Sequence, residues 1–153
     1  MRRFGIIVIL GLTACTLEMP TLGSPSLAGR TAQTFSTDHG TQVEYLAADG
    51  HAILWYPQRP IPWVGEWERR DGKMCFRYLV DTTTGNSYGD WHCSDWDSYM
   101  RSVNELWQGD IFNLDTRSVP FTIPDRAAYS VTDLADQAGI DLSSTQDVML
   151  TIR

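Results

Sequence analysis

The chain has 153 residues, with 12 Lys and Arg against 19 Asp and Glu, for a formal net charge of −7. That length fits a single domain, and the acidic balance excludes the basic footprint that broad nucleic-acid binding requires. Six Trp, six Tyr and five Phe supply enough core material to exclude a disordered chain.

The chain opens with Arg2 and Arg3, then an apolar run from Phe4 to Leu12. The run is too short to span a hydrocarbon layer of about 30 Å, but it fits the apolar part of a secretory leader. Leu12-Thr13-Ala14-Cys15 follows. These four residues resemble the lipobox of bacterial lipoproteins at every position. The resemblance implies cleavage before Cys15 and lipidation of that cysteine, with several acyl chains giving stable anchoring. Thr16 stands where an Asp favours inner-membrane retention in that family, so the resemblance implies an outer-membrane anchor facing the periplasm. Plain secretory cleavage further downstream is the alternative. Removing 14 residues from 153 leaves 139, and losing Arg2 and Arg3 moves the charge from −7 to −9.

Residues 15–38 read as the lipidated cysteine and a flexible tether. The stretch is rich in Ser, Thr, Gly and Pro, with no sustained period of 2 or 3.6. The globular domain is expected over residues 39–153.

Within that domain the turn signals are regular. Gln42 to Leu46 alternates, Asp49-Gly50 turns, and His51 to Tyr56 returns. Asp-Gly between strand-like runs is a strong hairpin signal. Pro57, Pro60 and Pro62 then forbid a central strand. A second hairpin is expected from Gly65 to Val80 about Asp71-Gly72, and a third turn at 82–86 leads into Ser87 to Cys93. The fold class is therefore mainly β, an antiparallel meander forming a small barrel or sandwich.

Beyond Cys93 the pattern weakens. Residues 95–107 fit a helix or a strand, while Ile111 to Leu114 and Val119 to Ile123 look extended. Ser130 and Asp133 resemble a capping box before a short C-terminal helix at about Val131–Ala138, stopped by Gly139. Val148 to Ile152 reads as a closing strand.

With Cys15 assigned to lipid, Cys75 and Cys93 remain as an even pair, for which a disulfide is expected. Their midpoint is Thr84, the centre of the third turn, so a hairpin closed there sets them opposite one another. The same register sets Arg77 against Trp91, and the Asp71-Gly72 turn sets Glu66 against Arg77 and Trp67 against Phe76. It gives one apolar face with Trp67, Met74, Phe76 and Tyr78. Zinc held by His92 and the two thiols lacks a fourth ligand. No cofactor or metal is expected.

Two clusters are candidates for function. Asp90, Asp95 and Asp97, beside Trp91 and Trp96, could supply paired carboxylates for glycan cleavage, with the tryptophans stacking on sugar. Trp55, Tyr56, Trp63 and Trp67 around the proline loop could form a platform for a ligand or a partner. No phosphate loop, GxSxG, HExxH or CxxC accompanies either cluster. The expected function is thus a non-enzymatic module binding an unknown envelope protein or glycan, held to the membrane by its lipid. Its binding residues are Trp63, Trp55, Tyr56, Trp91 and Trp96. The alternative is a hydrolase using the three aspartates.

The order Gly40-Thr41, Glu44-Tyr45, Asp49-Gly50, Trp55-Tyr56-Pro57, Gly65, Trp67, Cys75-Phe76, Trp91 and Cys93 resembles small secreted β domains of unknown function from Gram-negative bacteria. That resemblance implies a compact β fold over roughly residues 40–115 and no activity. A looser likeness is to lipoprotein inhibitors of c-type lysozyme, small disulfide-stapled barrels on a lipid tether. Their Ser-Ala-Ser-Gly-aromatic loop is missing here, so no inhibitory residue carries over.

Overall fold

The computed structural model describes residues 26–82 and 85–149. The leader, Cys15 and the first part of the expected tether lie outside them.

Eight antiparallel strands build the domain. They are β1 (Arg30–Ser36), β2 (Gly40–Leu46), β3 (His51–Trp55), β4 (Trp63–Arg70), β5 (Lys73–Thr82), β6 (Gly85–Tyr88), β7 (His92–Asp95) and β8 (Val103–Gln108). Helix α1 (Trp96–Ser102) joins β7 to β8, and α2 (Val131–Ala138) comes near the end. The sheet order is β6-β5-β4-β3-β2-β1-β8, with β7 also paired to β5. The mainly β meander agrees with the sequence. The sheet is open, however, and is not closed into a barrel.

Both Asp-Gly hairpins form, the second in the expected register; the first closes about Asp49 as a loop of residues 48–50. Leu46 faces Ala52 across the first, and Glu66 faces Arg77 and Trp67 faces Phe76 across the second. Asp71 takes φ 51° and Gly72 φ 74°, the paired positive values of a tight hairpin turn. Helix α2 also starts as expected. The Ser130 hydroxyl accepts from the Asp133 amide while the Asp133 carboxylate accepts from the Ser130 amide, and Gly139 ends the helix at φ 70°.

The segment expected to be tether is partly sheet. Residues 30–36 form β1, paired on one side with β2 and on the other with β8. The strand buries Thr31 and Gln33 on one face and only the small Ala32 on the other, so it carries no apolar alternation. Hydrogen bonds make this tolerable: the Thr31 hydroxyl donates to Gly109 O and accepts from the Ile111 amide, and the Gln33 amide donates to Tyr129 O. Residues 95–107 prove to be both helix and strand, α1 running directly into β8. Ile111 to Leu114 and Val119 to Ile123 are not strands. A turn and a 3-10 turn (Leu114–Thr116) occupy the first, and irregular chain the second. Their apolar residues cap a sheet face instead of pairing at its edge. The expected strand 148–152 lies mostly outside the described residues; Asp147 makes an isolated bridge to Trp107.

The sheet buries both faces, over two separate cores. On one, Val43, Ile53 and Trp55 pack against Ile111, Phe112, Leu114, Ile123 and the inner side of α2. On the other, Leu46, Ala52, Met74 and Leu106 pack against Trp96 and Tyr99 of α1.

The short link between β7 and β8 dictates the curvature. These strands lie at opposite edges of the sheet, six strand spacings apart. Laid flat, those spacings would cover about 29 Å. Helix α1 has seven residues and so rises only about 10 Å. The sheet must therefore curl around α1, which makes the α1-bearing face concave.

Candidate functional site

The concave face is filled by α1 at one end and open at the other. The open end is a cleft of about 1080 Å³. Its floor follows from strand alternation: Glu44, Leu54, Trp63 and Tyr78 point to the same side of neighbouring strands. Six rings cross it in sequence. His39 Nδ1 lies 2.9 Å from the Tyr56 hydroxyl, Tyr56 stacks on Trp63 at 5.4 Å, and Trp63 meets Tyr78 at 5.8 Å. Phe76 then lies 6.4 Å from Tyr78 and 5.6 Å from Tyr99 of α1.

Gly65 is what lets Tyr78 lie in this row. The two residues are paired across β4 and β5, and a Cβ on Gly65 would come within 2.6 Å of the Tyr78 ring and 2.3 Å of Arg77 O. Any side chain there displaces the ring or the strand.

Tyr78 in turn serves Glu44, donating its hydroxyl to Glu44 Oε1. Glu44 is a buried carboxylic acid at the bottom of the cleft. Burial pushes its pKa up to about 7, against the opposing effect of the Tyr78 hydrogen bond. The Tyr99 hydroxyl also lines the cleft, on a side chain 9% exposed, and finds no hydrogen-bond partner among the described residues. Burial and the nearby Glu44 both push its pKa well above the usual phenol range. The rim is mixed: Asp81 and Asp90 stand with Arg59 and His92. The Arg59 guanidinium lies over the Trp63 ring at 5.0 Å.

Of the aromatic residues expected to bind, Tyr56 and Trp63 line the cleft. The others do not. Trp55 is fully buried on the opposite face, between Phe112 at 5.2 Å and Phe121 at 5.0 Å. An alternating strand sends adjacent residues to opposite faces, so Trp55 and Tyr56 could not both serve one surface. Trp96 packs into the α1 core with Arg69 over its ring at 4.1 Å. Trp91 lies on the convex side, where the Arg77 guanidinium stacks on it at 4.6 Å and pairs with Glu66.

The three aspartates are not gathered. Asp90 is at the cleft rim, whereas Asp95 ends β7 and Asp97 sits in the first turn of α1, both exposed and outside the cleft lining. Cys75 and Cys93 do form the expected disulfide, with Cα atoms 4.1 Å apart. No group of three metal-ligating side chains occurs among the described residues. No helix among them is long and apolar enough to cross a membrane.

Sequence reasoning missed Glu44 and Tyr99. The alternation of Gln42 to Leu46 places Glu44 in a strand without singling it out. The available signal was its setting in GTQVEYL, where Val43, Tyr45 and Leu46 supply apolar side chains to both faces. Comparison with known proteins finds no matching family model, no matching curated protein and no matching solved structure.

Proposed function

We propose that the chain is an envelope lipoprotein whose β domain is a non-catalytic binding module, taking part of an envelope protein or glycan into the concave cleft. One observation carries the binding reading: a preformed aromatic cleft whose buried floor holds a carboxyl group and an unpartnered hydroxyl. The hydrolase is not carried forward, since its three aspartates do not share the cleft. The lipid anchor at Cys15 and the outer-membrane position rest on the leader sequence.

Mass spectrometry of the mature N-terminus tests the anchor: a triacylated Cys15 is expected, and an unacylated start beyond it removes the lipoprotein reading. Sedimentation with isolated envelope fractions tests the cleft, using the Cys15→Ser background so that lipid does not contribute. Trp63→Ala should bind severalfold less, because it removes the largest ring of the cleft wall, while Trp91→Phe on the convex side should bind normally. The reverse pattern moves the site to the disulfide face.

A further inference from the structure

The floor of the cleft has a chemical preference, and it is for positive charge. Near Glu44 stand the hydroxyl of Tyr78, which donates to it, and that of Tyr99, which interacts with it electrostatically, with the Phe76 and Trp63 rings beside these tyrosines. This combines a carboxylate with aromatic walls, the two features that favour a cation out of bulk water. Among the described residues Glu44 receives one side-chain hydrogen bond, from Tyr78, and no basic side chain is paired with it. Lining charges elsewhere are Asp81 and Asp90 against Arg59, with His39 and His92 as the remaining titratable rim groups. Three carboxyl groups therefore face one guanidinium, in a chain that is itself acidic.

Arg59 shows that the walls accept a cation. Its guanidinium already rests over Trp63, at the entrance rather than at the floor. No comparable group among the described residues pairs with Glu44. The nearby Tyr99 hydroxyl is buried and has no partner among the described residues, which is costly for a polar group unless a ligand completes it.

We infer that the cleft binds a protonated amine, with the ammonium donating hydrogen bonds to the Glu44 carboxylate and the Tyr99 hydroxyl, and the carbon chain lying along Trp63 and Tyr56. This rests on the cleft being the binding site and names the class of group it receives. A primary amine suits the floor better than a quaternary one, because two acceptors wait there and a quaternary nitrogen has nothing to donate. A neutral sugar could stack on Trp63, but it would leave Glu44 without a counter-charge.

The test is titration of the full chain with n-hexylammonium, followed by tryptophan fluorescence and calorimetry, beside 1-hexanol, choline and diacetylchitobiose. Hexylammonium should bind more tightly than the other three. Glu44→Gln should weaken it by about tenfold or more, the loss of one charge-assisted hydrogen bond. Tyr99→Phe removes a single oxygen and should weaken it severalfold without disturbing the fold, so the test survives an unstable Glu44 variant. Trp91→Phe should leave it unchanged. Should hexanol or diacetylchitobiose bind as tightly, with Glu44→Gln indifferent, the amine is overturned while the cleft remains a binding site. Failure of all four probes at millimolar concentration, or binding insensitive to Trp63→Ala, removes both readings.

Discussion

Replacing Glu44 with Gln should raise stability at pH 8 by up to about 3 kcal/mol and leave it nearly unchanged at pH 4. The folded state holds the Glu44 proton up to about pH 7, whereas the unfolded chain releases it near the ordinary value of 4.5. Between those values the folded protein carries more protons than the unfolded one. Stability therefore falls as pH rises through this window, is whole below it, and is flat above it. Gln has the shape of the protonated acid and can still accept from Tyr78, so it keeps the favourable state at every pH. The exposed carboxylates of Asp49, Asp133 and Asp141 are shifted downwards by hydrogen bonds, and they act in the opposite sense at more acidic pH. Asp110 is raised by burial and adds to the slope in both proteins. The difference between wild type and Glu44→Gln therefore isolates one group. Urea denaturation at a series of pH values measures it, and parallel profiles would mean that Glu44 is solvated and titrates like any surface carboxylate.

That result would also mark a conflict between stability and binding. A carboxyl group that weakens the fold at neutral pH is kept on a buried face where Leu or Gln would be steadier. A bound ammonium ion would give it a reason to be there, by offsetting the burial of the charge. The Tyr99 hydroxyl shows the same pattern on a smaller scale, as a buried polar atom with nothing to bond.

The parts legible in the sequence were those fixed by short-range chemistry. Asp49-Gly50 and Asp71-Gly72 both mark turns, and at Asp71-Gly72 the two-residue turn also sets the register of its strands. Ser130, Asp133 and Gly139 delimit α2 for equally local reasons. The parts not legible depend on distant partners. Arg30–Ser36 reads as tether because its buried residues are Thr, Ala and Gln; β2 pairs with it locally, but its second partner, β8, comes more than 60 residues later. The cleft was half legible. Tyr56 and Trp63 stand out beside prolines, but the burial of Glu44 depends on the sheet curling around α1. Nothing local to β2 announces that curl. Tryptophans drew attention by size alone, and Trp55, Trp91 and Trp96 turned out to serve the core and the convex surface.

Removing the disulfide, as Cys75→Ala with Cys93→Ala, should cost about 3 kcal/mol, the loop-closure entropy of a segment of this length. The loss should fall unevenly. Strands β6 and β7 both lie along β5, yet in registers that differ by one residue. Val80 faces Ser87 in the first, while Cys75 faces Cys93 in the second. Three residues, 89–91, stand against Arg77 and Tyr78 to absorb the difference. Continuing the β6 register would instead bring His92 opposite Cys75 and turn every β7 side chain to the other face. The covalent bond excludes that slip. It also fixes the start of α1, whose first amide, on Trp96, donates to Gly72 O, and through α1 it fixes Tyr99 at the cleft floor. Hydrogen exchange on the double variant should show lost protection across His92–Asp95 and α1, with β2 and β3 retained. Hexylammonium affinity should fall together with that protection, although neither cysteine lines the cleft. If stability changes by less than about 0.5 kcal/mol and β7 stays protected, strand pairing alone holds the register, and the disulfide has no part in shaping the site.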